Sequence, residues 1–362
     1  MNYATIGTSM ITEHFIEAAA ESGQLTLKAI YSRDLEKATR FANQYEVKLV
    51  FNQLDELASC EEIEVVYIAS PNSIHYEQAI FLMEHGKHII CEKPMFTSMK
   101  EWEKAFETAR KNNVFLFEAM RTIHTPNFKL LKDKIDCVGP IRNVNLQYMK
   151  YSSRYDQFLE GEVPNIFSAE FAGGALVDLG VYPLYMAIAL FGEPESSVYV
   201  PVMLKSGVDG GGTLVLKYND FVCTILCSKI TDSYCSNEIL GEKGNLIFPG
   251  SGTVEKIEFI DRETKVCEPF SAAQTDKDMV YEIEVFTDII KTGDQERYEE
   301  LTNLSGLVLN IMEEARKKCG IIFGPDKSQD QQKGQQERAV SFCFKNSHND
   351  HKIHVCLKGK VE

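Results

Sequence analysis

The sequence is short of positive charge. Its 38 Lys and Arg face 53 Asp and Glu, giving a formal net charge of -15 over 362 residues. A field of that sign repels phosphate backbones and argues against nucleic acid as a partner. No C-x-x-C pair occurs among the ten cysteines. Several stand in apolar runs, Cys91 after His88-Ile89-Ile90 and both Cys223 and Cys227 between Phe221 and Cys227. They read as buried reduced thiols rather than disulfides or metal ligands, and no metal centre is expected. The N-terminus, Met1-Asn2-Tyr3-Ala4-Thr5-Ile6-Gly7, has neither a basic n-region nor a long apolar core. No apolar run approaches the ~20 residues that span a bilayer. A cytoplasmic protein without a membrane partner is expected.

What is present reads as two domains and an appendage. Hydrophobic residues make up 44% and charged residues 25%, an ordinary globular balance, and the length suits two domains of about 150 residues each. Over residues 1–120, short β-like runs alternate with helical patterns. Strands are expected at Tyr3–Ile6, Leu25–Tyr31, Lys48–Phe51, Val65–Ala69, His88–Cys91 and Val114–Phe117. Helices are expected at Thr12–Ser22, Leu35–Tyr45, near Leu54, at Ser73–His85 and at Met99–Asn112. Such alternation predicts right-handed crossovers and a doubly wound parallel sheet, an α/β Rossmann domain.

From residue 121 to 325 the rhythm changes. β-like runs at Ile141–Tyr151, Ser197–Leu204, Thr213–Tyr218, Val222–Ile230 and Glu238–Phe248 are separated by turns such as Asp209-Gly210-Gly211-Gly212 and Gly241-Glu242-Lys243-Gly244. With helices at Ala175–Phe191, Lys277–Lys291 and Leu301–Cys319, they predict an α+β domain on a large, mainly antiparallel open sheet. Residues 326–362 form a Gln-rich polar tail with too little apolar area to order itself. His348, His351 and His354 recur there near Cys356, and they read as an extension without chemistry.

Four segments carry chemistry. The turn Gly7-Thr8-Ser9-Met10-Ile11-Thr12 follows the first strand. A dinucleotide fingerprint wants G-x-G-x-x-G, so that the backbone turns tightly and seats a pyrophosphate on a helix N-terminus. Only Gly7 remains of the three glycines, yet strand, turn and helix in this order favour nucleotide binding over an ordinary turn. At the end of the second strand, Ser32 stands where an NAD site usually has a carboxylate, and Arg33 follows. A hydroxyl beside a guanidinium suits a 2′-phosphate, which favours NADP over NAD. The run Ala69-Ser70-Pro71-Asn72-Ser73-Ile74-His75 and the loop Cys91-Glu92-Lys93-Pro94 end two further strands. Both lie at the carboxyl edge, where open α/β sheets bind ligands.

These residues carry a resemblance. Gly7, Ser70-Pro71-Asn72 with His75, Glu92-Lys93-Pro94, and the segment Gly173-Gly174-Ala175-Leu176-Val177-Asp178-Leu179-Gly180-Val181-Tyr182-Pro183 resemble the Gfo/Idh/MocA family over residues 1 to about 325. The resemblance implies a Rossmann domain holding NAD(P), a second domain whose open sheet makes homodimers, and a Lys-Pro bond that is often cis. It implies that Lys93 bonds the reacting hydroxyl, with the Asp178 carboxylate near it. It further implies that Tyr182 stands where inositol dehydrogenase-like members often have His, as in the glucose–fructose oxidoreductase and dihydrodiol dehydrogenase branch. Arg121 and His124 fall where relatives carry substrate-facing residues, and Arg121 joins the expected cofactor contacts.

An oxidised secondary alcohol gives a hydride to nicotinamide and a proton to a base. A phenol of ordinary pKa near ~10 is a poor base at neutral pH, so the Lys93 ammonium is expected to pull Tyr182 down. The reading is an NADP(H)-dependent oxidoreductase for a sugar-like, polyol or diol/carbonyl substrate. The competing readings are a non-catalytic nucleotide sensor, favoured by the eroded glycine turn, and an NAD-dependent inositol-type dehydrogenase.

Overall fold

The structure is a computed structural model describing residues 1–327. Of the expected tail, all beyond Lys327, including His348, His351, His354 and Cys356, lies outside the described residues. Asp326, placed at the head of that tail, belongs to the folded body. It is buried and ion-paired at 2.6 Å with Arg316, which is itself buried.

The first half builds β1 (Asn2–Ile6), α1 (Met10–Ser22), β2 (Thr26–Tyr31), α2 (Leu35–Gln44), β3 (Leu49–Phe51), α3 (Leu54–Ala58), β4 (Val65–Ile68), α4 (His75–Glu84), β5 (His88–Glu92), α5 (Met99–Lys111) and β6 (Leu116–Ala119). The strands are parallel in the order β3-β2-β1-β4-β5-β6, the doubly wound arrangement expected from the βα rhythm. Its strand order reverses between β1 and β4, which opens a crevice beyond their carboxyl ends.

The second half builds α6 (Pro126–Lys134), β7 (Ile141–Met149), α7 (Tyr155–Leu159), α8 (Val181–Phe191), β8 (Ser196–Met203), β9 (Asp209–Lys217), β10 (Val222–Ser228), β11 (Asn237–Gly241), β12 (Gly244–Phe248), β13 (Ile257–Asp261), β14 (Cys267–Phe270), α9 (Val280–Thr292) and α10 (Gln295–Lys318). The sheet order is β14-β13-β12-β11-β7-β10-β9-β8, antiparallel except for the β7–β10 pair. One face packs on α8, while the opposite face of β8 leaves Val198, Val200 and Val202 exposed. The helix expected from Ala175 begins as a π-helical turn, Leu176–Gly180, before α8. One continuous apolar core runs through both sheets, so the two halves are packed together. Eight cysteines among the described residues are all free thiols. No described helix is long and apolar enough to cross a membrane.

Candidate active site

Gly7 ends β1 with φ at +113°, and a Cβ there would meet the carbonyl oxygen of Ala69 at 2.6 Å. Only glycine fits, because both the positive φ and the approach of β4 forbid a side chain. The next residues enter α1, whose N-cap Ser9 makes no side-chain cap bond; the Thr12 N–H donates to the Ser9 carbonyl at 2.9 Å, and those of Met10 and Ile11 have no hydrogen-bond partner among the described residues.

That crevice is a cleft of about 480 Å³. It is walled by Gly7, Thr8 and Ser9 after β1, Ser32 and Arg33 after β2, and Ala69, Ser70, Pro71 and Asn72 after β4. All nine residues singled out in the sequence at these strand ends line the cleft. Met10 and Ile11 are not on its walls; Met10 is largely exposed and Ile11 half-buried. The cations Arg33 and Lys37 on the cleft form no ion pair with any described residue, so their charge is open to a ligand.

His75 does not reach the cleft. It is fully buried, its Nε2 2.7 Å from the Ser70 carbonyl and its Nδ1 3.3 Å from that of Pro94. Burial lowers its pKa, and a neutral ring has one N–H, which suits the shorter contact to Ser70; the Pro94 carbonyl of the loop after β5 lies against the other nitrogen. Asn72 donates to the carbonyl of Ala172 at 3.2 Å and joins the cleft wall to the second domain. Glu92 is buried too; its carboxylate accepts from the Tyr67 hydroxyl at 2.5 Å, and burial raises its pKa.

The Lys93–Pro94 bond is cis. The Lys93 ammonium donates to the main-chain oxygen of Asp178 at 2.9 Å and to its Oδ1 at 3.2 Å. It also lies 4.6 Å from the centroid of the Tyr182 ring. Burial pulls Lys93 down, but Tyr182, Asp178 and Glu92 together outweigh it and hold the ammonium above its ordinary value. The π turn and α8 bring Asp178 and Tyr182 to this lysine, so the three residues expected to act together are together. Burial opposes ionisation of Asp178, yet Lys93 and Lys229 hold its carboxyl well below the usual range.

Tyr182 departs from expectation. Burial raises its pKa, and Lys93 and Arg121 offset that rise without reversing it. Desolvation of the phenolate wins because the ring is only 7% exposed. The hydroxyls of Tyr67, Tyr185 and Tyr199 all donate to carboxylates, whereas that of Tyr182 has no hydrogen-bond partner among the described residues. A protonated, unengaged phenol is a proton donor.

Arg121 also lies over that ring, 5.8 Å from its centroid, and is ion-paired at 3.3 Å with Asp278. It lines a second cleft, of about 430 Å³, with His14, Glu17 and Lys277 rather than the first. His124 is buried against Phe286, and burial pushes it down to about 3. It is a neutral core residue.

Sequence reasoning missed Lys229, whose ammonium is 2.5 Å from Oδ2 of Asp178 with its side chain 2% exposed. The signal was in the alternation: Cys223, Ile225 and Cys227 face inward on β10, and Lys229 continues that register. Arg154, Asn165, Ile166 and Phe171 of the second domain also wall the cleft and were missed, since loops carry no periodicity.

The comparisons agree with this architecture. Residues 1–120 match the model of the oxidoreductase family with NAD-binding Rossmann fold, GFO/IDH/MocA, and residues 132–247 match that family's C-terminal domain. The chain is 40% identical over 328 residues to scyllo-inositol 2-dehydrogenase (NADP(+)) IolU of Bacillus subtilis, covering 91% of this chain and all of that one. It is 27% identical over 305 residues to trans-1,2-dihydrobenzene-1,2-diol dehydrogenase of Xenopus tropicalis, covering 82% of this chain and 90% of the relative. Among solved structures, KijD10, a 3-ketoreductase from Actinomadura kijaniata in complex with NADP, superposes with a TM-score of 0.76 at 22% identity, over 88% of this chain and 97% of that one. Fold, motifs and relatives converge: the chain belongs to the GFO/IDH/MocA family of oxidoreductases.

Proposed function

We propose that this protein is an NADP(H)-dependent oxidoreductase that interconverts a secondary hydroxyl and a carbonyl on a sugar-like or polyol ring. The observation that carries this reading is the convergence of Lys93, Asp178 and Tyr182 beside a cleft whose far end holds Arg33 and Lys37. Bound nicotinamide supplies or accepts the hydride. Gly7 and the open first turn of α1 suit the pyrophosphate, and Ser32, Arg33 and Lys37 suit a 2′-phosphate. Lys93 donates to the substrate oxygen with the N–H that Asp178 leaves free. Asp178 fixes that ammonium, and Tyr182 gives its proton to a carbonyl oxygen or, in oxidation, takes one from the hydroxyl. The raised pKa of Tyr182 keeps its proton in place near neutrality, ready for the donor role that reduction uses.

An inositol-type activity and NADP are not alternatives, since the Bacillus subtilis relative is named for both. Scyllo-inositol with NADP+ is therefore the first substrate pair to assay, followed by aldoses and trans-dihydrodiols. Loss of turnover in K93M and Y182F supports the mechanism; full turnover in both overturns it. Co-purified NADP(H) supports the cofactor, and tightly held NAD(H) alone refutes it. The eight free thiols support a reducing, cytoplasmic location. We also infer a homodimer through the open sheet face, where Val198, Val200 and Val202 present an apolar strip to a second copy. Light scattering should find two chains, and V200E should give one.

A further inference from the structure

Two ammonium groups share one carboxylate at the reaction end of the cleft. Lys93 takes Oδ1 and the main-chain oxygen of Asp178, and Lys229 takes Oδ2 at 2.5 Å. Lys229 is further held by the carbonyl of Ile166 at 3.2 Å and lies 5.1 Å from the centroid of the Phe167 ring. Each oxygen of the Asp178 carboxylate is thus held by its own lysine.

Two further carboxylates lie close by. Asp209 accepts from the Tyr199 hydroxyl and the main-chain N–H of Leu176, and Glu92 accepts from Tyr67. Bonds from neutral donors leave their charge in place, and each still acts on a lysine, Glu92 on Lys93 and Asp209 on Lys229. Arg121 is ion-paired with Asp278, and the Tyr182 ring packs edge-on against Tyr148. What sets Lys229 apart is contact: among the described residues only Lys93 and Lys229 hydrogen-bond the Asp178 side chain. With Lys229 on Oδ2, the carboxylate is fixed toward Lys93, and a fixed ammonium stabilises the negative charge that the substrate oxygen gains as its proton leaves.

We propose that Lys229 is a positioning residue for the reaction: it fixes Asp178 and, through it, the Lys93 ammonium that the reacting oxygen meets. This rests on the Lys93/Tyr182 reading above and adds to it a second lysine acting through the carboxylate. Burial lowers the pKa of Lys229 and Asp178 opposes that, so its charge depends on the partner it holds.

The test compares wild type with K229M, K229Q and K229R in NADP+-dependent oxidation of scyllo-inositol across pH. Removing a positive charge disfavours every deprotonated form nearby, so the alkaline limb of the rate moves to higher pH. In K229M we expect that limb to rise by about one unit or more. We expect kcat to fall about 10²-fold while KM and NADP+ affinity stay near wild type. K229R keeps the charge and should leave the limb in place. K229Q, which retains a donor for Ile166, carries the test if K229M does not fold. The same rise should appear without substrate, as a shift in the tyrosinate absorbance that Y182F removes. A folded neutral variant with wild-type kcat, or with reduced kcat and an unmoved limb, overturns the proposal. If K93M and Y182F also keep full turnover, the functional reading itself has failed; if they lose it while K229M does not, only the role of Lys229 is wrong.

Discussion

The two ends of the cleft treat cations in opposite ways. At the β2 end, Arg33 and Lys37 are solvent-facing and form no ion pair with a described residue. At the β5 end, Lys93 and Lys229 are withdrawn from solvent and already tied to Asp178. One end waits for its counter-charge, while the other is organised before any ligand arrives. Exposed cations are screened by salt within about 8–10 Å, so on the proposed function the first end would serve affinity and selectivity. Buried, fixed dipoles and charges need no rearrangement at a reaction step, so on the same proposal the second end would serve rate.

The comparison breaks most visibly at the buried end. K93M and Y182F should each cut kcat by about 10²–10⁴-fold, with little change between low and high salt. An effect that fades as salt rises would place Lys93 among the screened charges instead. At the exposed end, R33A should weaken NADPH binding by about tenfold, barely alter NADH binding, and lose most of that difference at high salt. Equal losses for both cofactors would mean that Arg33 does not read the 2′-phosphate. The smallest effect expected is on pH. Because the Tyr182 pKa is raised, the phenol stays protonated through neutrality, so reduction should be nearly flat from pH 6 to 8, a range below its ordinary value of about 10. Oxidation needs the deprotonated form and should keep climbing with pH through that value. A plateau in oxidation below pH 8 would show that Lys93 had lowered Tyr182 after all.

The exposed end was the more legible in sequence. Gly7, Ser32, Arg33 and the Ser70-Pro71-Asn72 run lie at strand ends, and strand ends in a βα rhythm are set by local periodicity. Lys93, Asp178 and Tyr182 came from motif resemblance, and the structure brings them within contact of one another. The sign of the Tyr182 shift was misjudged because a pair of residues was weighed without its surroundings. Burial depends on what the whole chain lays over the ring. In the second domain, β13 and β14 were missed for a similar reason. β13 is mostly half-buried, and β14 is exposed and contains Pro269, which an edge strand tolerates. Neither has the alternation that marks a strand. Pairing of β7 with β10 could not be read at all, since no local pattern fixes which distant strand becomes a neighbour.

That parallel pair has a consequence for how the protein reaches its working form. Asn143 lies opposite Val222, a contact between positions about 80 residues apart, and such non-local pairings form slowly. Lys229 follows directly on β10, and the main-chain N–H of Ser152, just past β7, donates to its carbonyl oxygen at 2.9 Å. Lys93, Asp178 and Lys229 are thus carried by three separate stretches of chain that meet only after this closure. Until they meet, each charge is better left in water than buried alone. The cluster of Lys93, Asp178 and Lys229 is therefore complete only once that distant pairing has closed.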